Sequence, residues 1–394
     1  MSATPVRAAM PALPAGYAWE ATDEQVSERY GVPPATIVRF DLNTSPAPPG
    51  LALRLLQAGA YGRPISEYPP SDYRGLVAAA AETYGVGRDE LLVGAGADEI
   101  LDLVAKAFLP PGAGAVIPTP TYAMYRVLSE QRPARPVPVP RRSAANGYAL
   151  DLPAVREAAR DAAVVWLCSP NNPTGLPEPA GSIAELLAEL LVDADNDGRV
   201  APVVVLDEAY AEFVGTSLLG IRAAYPRLVV VRTASKAYAL AGLRVGFAIA
   251  RHELLAQVEP YRPPGSVSIP SAAVVTAALR APDALRDNVS RISAERARLA
   301  AALADLGTPA SPSVTNGPPP LPGGCSGGGS SRGRSGRGIR WPITCASPSA
   351  PRPRTTASSW HSPQSSRPSP TPPRRPPRRP RHDDLARHAR SRGP

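Results

Sequence analysis

Lys236 is one of only two lysines in a chain whose 43 basic side chains are otherwise all arginine; the other is Lys106. An arginine guanidinium keeps its proton in a protein and forms no Schiff base, whereas a lysine amine can lose its proton and attack a carbonyl. The surroundings of Lys236 suit that chemistry. Thr233-Ala234-Ser235-Lys236-Ala237-Tyr238 follows the apolar run Leu228-Val229-Val230-Val231 and precedes Gly242-Leu243-Arg244-Val245-Gly246. An amine at the exit of a buried strand, with an arginine close behind it, is expected to line a site; the competing reading is an exposed surface lysine.

Four more stretches carry chemistry, each weak alone. Gly94-Ala95-Gly96-Ala97-Asp98-Glu99 is a glycine-rich turn opening a helix, where free backbone N–H groups and the positive dipole end suit a phosphate. Asp98 could equally be an N-cap. Pro118-Thr119-Pro120-Thr121-Tyr122 presents an aromatic ring at a strand exit, fit to stack on a flat ligand or simply to pack in a core. Ser169-Pro170-Asn171-Asn172-Pro173-Thr174-Gly175 follows an apolar strand, where parallel sheets bind ligands, although a plain Asn-Pro turn reads similarly. Asp207-Glu208-Ala209-Tyr210 ends another strand. There an aspartate can pair with a protonated pyridine nitrogen, with Tyr210 three residues on to donate to a ring oxygen. Arg244, eight residues after Lys236, offers a bidentate fork to phosphate. In this order the five signals describe a site for pyridoxal 5'-phosphate.

On these residues the chain resembles the fold type I pyridoxal-phosphate aminotransferases (class I/II), from about Asp41 to Asn316. It is most similar to histidinol-phosphate aminotransferases in Gly-Ala-Asp-Glu-Ile-Leu-Asp-Leu at 96–103, in Tyr122-Ala123-Met124-Tyr125, and in Tyr68-Pro69 followed by Asp72 and Leu76. The resemblance implies Lys236 as Schiff-base lysine and general base, and Asp207 on the pyridine nitrogen. It implies Asn172 and Tyr210 on the ring oxygen, Tyr122 stacked on the ring, and Ala97, Asp98, Ser235 and Arg244 around the phosphate. Tyr68 matches a tyrosine that reaches the phosphate of the neighbouring subunit, which implies a homodimer with shared sites. The implied reaction moves an amino group between L-glutamate or 2-oxoglutarate and a phosphorylated or aromatic amine such as histidinol phosphate, in histidine biosynthesis. Where that family has an Asn-Glu-Asn-Pro type segment, this chain has Asp41-Leu42-Asn43-Thr44-Ser45-Pro46. A related decarboxylase or an aromatic aminotransferase would use the same apparatus, and a cofactor-binding protein without turnover stays open too.

These residues need a frame. Apolar runs at 91–93, 115–117, 136–139, 163–168, 203–206, 228–231 and 246–249 read as strands, and helical periodicity fits 98–108, 122–131, 152–159, 183–191 and 238–243. Val- and Leu-rich strands alternating with helices predict an α/β fold, a three-layer and mostly parallel sheet covered on both faces. Residues 1–40 read as an arm with a short helix, 41–265 as the large cofactor-binding domain, and 266–316 as the start of a smaller α+β lobe. Helices at about 270–279 and 284–306 lead into that lobe, which reads as incomplete.

Beyond Asn316 the pattern changes. Residues 317–394 hold 17 prolines, 15 arginines and two acids, a composition expected to be disordered. They carry +13 of a whole-chain +9, leaving residues 1–316 at −4, so the ordered part asks for no nucleic acid or anionic membrane. The abrupt switch is what an out-of-frame stretch of a GC-rich gene would give. No arginine there, Arg337 and Arg340 included, has the strand context of the carboxylate clamp that the resemblance leads one to expect. Only Cys168 of three cysteines lies in the ordered part, as a buried small side chain, which excludes a disulfide framework and suits the cytoplasm. No apolar run has the length of a membrane span, and the first residues lack the apolar core of a signal peptide. Asp193-Ala194-Asp195-Asn196-Asp197-Gly198 resembles the start of a calcium loop, but its twelfth position is Val204, so a polar turn and no metal site is expected.

Overall fold

The computed structural model describes residues 16–17 and 20–307. The segment 317–394, with Arg337 and Arg340, lies outside the described residues, as do 1–15 and 308–316. The seven strands are β1 Leu91–Gly94, β2 Gly114–Thr119, β3 Arg135–Pro140, β4 Ala162–Cys168, β5 Val203–Asp207, β6 Leu228–Thr233 and β7 Gly246–Ile249. They form one sheet in the order β1-β7-β6-β5-β4-β2-β3. β3, β2, β4, β5 and β6 pair in parallel, and β7 runs antiparallel to both neighbours, β6 and β1.

The helices are α1 Asp23–Tyr30, α2 Gly50–Ala58, α3 Arg74–Tyr84, α4 Gly96–Phe108, α5 Met124–Gln131, α6 Leu152–Ala159, α7 Ser182–Asn196, α8 Ala211–Val214, α9 His252–Val258, α10 Ile269–Leu279 and α11 Pro282–Asp305. Period-two alternation along the central strands feeds two apolar layers. Val165, Leu167, Val204, Leu206 and Val230 pack with α3, α6, α7 and α10 on one face. Val164, Trp166, Val203, Val205 and Val229 pack with α4, α5 and α9 on the other. Helices on both faces bury every residue of β5 and β6, which is why these strands read as unbroken apolar runs. The three-layer, mostly parallel sheet expected from the sequence is the fold of the chain.

Two local expectations need correction. Residues 238–243 form no α-helix: Ala239 and Arg244 have φ of 57° and 51°, and only a short 3₁₀ turn, Ala241–Leu243, remains. The chain doubles back there because Leu240 N–H donates to Ala234 O, whose own N–H donates to Val245 O. The acidic stretch at 193–198 is not simply a turn either. α7 runs on to Asn196 because buried Asp193 accepts two hydrogen bonds from Arg156 of α6, at 2.6 and 2.7 Å.

The antiparallel β7 has a geometric consequence. Gly94, Gly246 and Thr233 stand opposite one another, so the start of β7 lies at the edge where β1, β5 and β6 end. A Cβ on Gly246 would come within 2.4 Å of Gly96 C and 2.6 Å of Ala97 N. The first turn of α4 thus rests on bare backbone. In Gly246→Ala that turn must move, and we expect a loss of about 1–3 kcal/mol of stability in urea unfolding, with weaker cofactor binding. An unchanged midpoint and unchanged affinity would mean that the close approach is dispensable.

Candidate functional site

The C-terminal edge of the parallel strands gathers the loops that the sequence singled out, as the topology of such sheets requires. The N-cap residue of α4 is Ala95, which has no side chain to bond the first helical N–H groups, while its own N–H donates to Glu99 Oε2 at 2.6 Å. The early N–H groups of a 13-residue helix therefore point outward unpaired by the helix itself. Asp98 is not the cap but lies within the first turn. Its Oδ1 accepts from the Tyr122 hydroxyl at 2.9 Å and its Oδ2 from Arg244 Nη2 at 3.0 Å. Arg244 lies against Gly96, where a Cβ would come within 2.5 Å of Nη2. Ser235 is buried at the end of β6, and its N–H donates to Thr233 Oγ1 at 3.1 Å. Asp98 and Arg244 thus meet beside the Ala97 backbone at the start of α4, a cup whose N–H groups suit a phosphate, with Ser235 buried just beyond β6.

Asp207 ends β5, buried, with Oδ1 accepting from Ala209 N–H at 3.0 Å and Oδ2 from the Tyr125 hydroxyl at 2.8 Å. Burial raises its carboxyl to about 6, and those two hydrogen bonds oppose the rise. A buried carboxylate in that state favours a cationic neighbour, such as a protonated ring nitrogen. Tyr125 is itself fixed, its ring stacked on Trp166 at 5.5 Å and 6° and edge-on to Tyr122 at 5.7 Å. The sequence marks Tyr125 only by its place three residues after Tyr122, which lies just ahead of α5.

Lys236 sits across from Asp207, half-buried, with Nζ 5.5 Å from the centre of the buried Tyr210 ring. Nζ donates to the carbonyls of Leu42 and Asn43 at 3.3 and 3.4 Å. Burial lowers its basicity, and Arg244 adds to that, while Asp98, Asp207 and Glu20 act the other way. Such an amine loses its proton more readily than a surface lysine.

The two asparagines after β4 are distinguished by their surroundings. Asn171 is fully buried and spent on structure, with Nδ2 donating to Pro120 O and Thr174 Oγ1 and Oδ1 accepting from Thr121. Asn172 stays half-buried beside Cys168 and is the one with a free face. This loop is anchored by an almost fully buried ion pair, Arg141 with Glu178. Glu178 also accepts from Leu150 N–H, and its own N–H donates to Ser169 Oγ. The Cys168 thiol is pushed up to about 12 by burial, so it is no nucleophile. Tyr68 is not brought to the other residues within one chain; it stands 91% exposed on the surface.

An uncapped helix start beside an arginine, a buried carboxylate, a nearby aromatic ring and a weakly basic lysine match the phosphate, ring nitrogen, ring face and carbonyl carbon of pyridoxal phosphate. Similar proteins agree. Residues 41–316 match the family described as aminotransferase class I and II. A histidinol-phosphate aminotransferase of Roseiflexus castenholzii is 38% identical over 299 residues, 74% of this chain and 77% of the relative. One from Xanthomonas campestris pv. campestris is 40% identical over 259 residues, 63% and 69% of the two chains. The crystal structure of histidinol-phosphate aminotransferase from Sinorhizobium meliloti in complex with pyridoxal-5'-phosphate superposes with a TM-score of 0.66 at 25% identity, covering 76% of this chain and 78% of that one. The chain belongs to the class I and II aminotransferases and is a pyridoxal-phosphate-dependent enzyme of that family.

Proposed function

We propose that this enzyme transfers an amino group between L-glutamate or 2-oxoglutarate and histidinol phosphate, a step of histidine biosynthesis, in the cytoplasm. What carries the reading is likeness over most of the chain: the family match spans residues 41–316, which include Asp98, Asp207 and Lys236, and relatives of that name are 38% and 40% identical over 299 and 259 residues. Residues 41–265 form the cofactor-binding domain in this reading and 266–316 begin the smaller lobe.

Bound pyridoxal phosphate supplies an electrophilic carbon and an electron-accepting ring. The chain's own groups do the rest. Ala97, Asp98, Ser235 and Arg244 hold the phosphate, and Tyr68 of a second subunit completes that cup. Asp207 keeps a proton on the ring nitrogen, held in line by Tyr125. Asn172 and Tyr210 orient the ring oxygen, and Tyr122 covers the ring face. Lys236 would anchor the cofactor and, once free, would carry a proton from the substrate carbon at Nζ, a task that its lowered basicity favours. No helix among the described residues is long and apolar enough to cross a membrane, and the partners are a small-molecule amino donor and a keto acceptor.

The assay is L-glutamate formation from 2-oxoglutarate and L-histidinol phosphate. We expect turnover, and a fall of at least about 10²–10⁴-fold in Lys236→Arg, whose guanidinium keeps the charge but neither gives up its proton nor forms a Schiff base. Equal or faster turnover of aromatic amino acids would set the substrate aside, and full activity in Lys236→Arg would set aside the role of the lysine.

Asp207 gives a pH test in the chain without cofactor. Its folded value of about 6 lies above the ordinary 3.8, so the fold holds this proton more tightly than the unfolded chain does. By linkage, its contribution to stability is present at low pH and is lost as pH rises through about 6. Asp207→Asn should flatten that part of the urea-midpoint profile; an unaltered slope would contradict the buried-carboxylate assignment.

Tyr68 tests the shared site. Its exposure, with Val38, Phe40 and Ile65 also more than 70% exposed, suits a face covered by a second copy. Mixing inactive Lys236→Ala with Tyr68→Ala subunits should restore activity, because each mixed dimer then holds one intact site. A mixture no more active than its parts would place Tyr68 outside the site.

A further inference from the structure

The main chain at Lys236 is held as firmly as its amine, and by residues distant in sequence. Ser45 Oγ donates to the Lys236 carbonyl at 2.9 Å. Asn288 Nδ2 donates to the next carbonyl, that of Ala237, at 2.7 Å, and reaches Ser45 Oγ at 3.3 Å. Ser45 belongs to the same short segment whose Leu42 and Asn43 carbonyls accept from Lys236 Nζ. One segment therefore grips both ends of the lysine.

Asn288 comes from α11, a 24-residue helix none of whose residues is buried. A helix with so little apolar anchorage nevertheless places a half-buried amide against the lysine loop. The loop needs outside support. Ala239 is left-handed at φ 57°, and the loop's own backbone closure is Ala239 N–H to Lys236 O at 3.0 Å and Leu240 N–H to Ala234 O at 3.2 Å.

We propose that Ser45 and Asn288 form a clasp on the Lys236 and Ala237 carbonyls that positions the lysine amine and ties it to α11. Both are positioning residues, acting through Lys236 and touching no reacting atom. The inference rests on the reading of Lys236 as the cofactor lysine. Loss of the clasp lets the loop swing out, so that Nζ loses its partial burial and regains basicity. The charged groups that act on Nζ, namely Asp98 of α4, Asp207 of β5, Arg244 ahead of β7 and Glu20, remain in place in the variants, as does the Tyr210 ring.

The chain offers its own control, since its second lysine, Lys106, lies on α4 paired with Asp102 at 2.6 Å. The full-length chain is labelled with trinitrobenzenesulfonate across a pH series, with and without pyridoxal phosphate, and the two lysines are quantified by peptide mass. In the unmodified chain the labelling midpoint of Lys236 should lie below that of an ordinary lysine. In Ser45→Ala and Asn288→Ala it should rise by about half a pH unit, a roughly threefold change in free amine at a given pH. Lys106 should not move, and Ser45→Thr should keep the original midpoint. An unmoved Lys236 midpoint in both variants overturns the clasp. So does an equal shift of both lysines with a lowered melting temperature, which is general loosening. Failure of pyridoxal phosphate to protect Lys236 in the unmodified chain counts against the cofactor reading instead, because the midpoints are measured without it.

Discussion

Asp207 places a carboxylate at the end of the central strand β5, where neighbouring strands and both helical layers remove water. A charge there is costly unless it is paired, and the chain supplies only neutral donors, the Tyr125 hydroxyl at 2.8 Å and the Ala209 N–H at 3.0 Å. Those two bonds fix its direction without cancelling its charge. Burial outweighs those bonds and the pull of Lys236, so the Asp207 carboxyl stays above its ordinary value. Much of its neighbourhood follows from keeping that carboxylate buried and aimed, including the stacking of Tyr125 on Trp166 and the edge contact with Tyr122.

A second constraint is the reversal of β7. Because β7 runs against its neighbours, its first residue rather than its last lies at the edge where the other loops emerge. Arg244, two residues earlier, is thereby delivered to the start of α4. Gly246 then allows the helix backbone to rest directly on the strand. The cup at the start of α4 is a product of this topology as much as of its side chains: helix start, strand start and strand end meet because the sheet brings them to one line.

The site is also stitched by elements that carry no chemistry. The buried pair of Arg141 and Glu178 holds the loop that distinguishes Asn171 from Asn172, and segment 41–46 with α11 holds the lysine loop. Buried or half-buried polar contacts of this kind are directional, so they fix one arrangement where apolar packing would tolerate several.

The sequence by itself determined the strands and most helices, because a sheet covered on both faces needs continuous Val and Leu runs and its helices need a 3.6-residue period. It also marked the candidate chemistry-bearing residues, because glycine turns, strand-end acids and a rare lysine are local signals. Tertiary structure decided what no local pattern encodes. The run at 238–243 has helical periodicity, yet contacts with Ala234 and Val245 turn it back as a loop. The helix α7 outlasts its apolar pattern because Arg156, on another helix, pairs with Asp193. The burial of Asn171 against Pro120 and Thr174, the hold of Tyr125 on Asp207, and the contacts of Ser45 and Asn288 with the lysine loop join residues up to 191 positions apart. Those pairings have no periodicity to betray them; they exist only once the sheet has closed the distance.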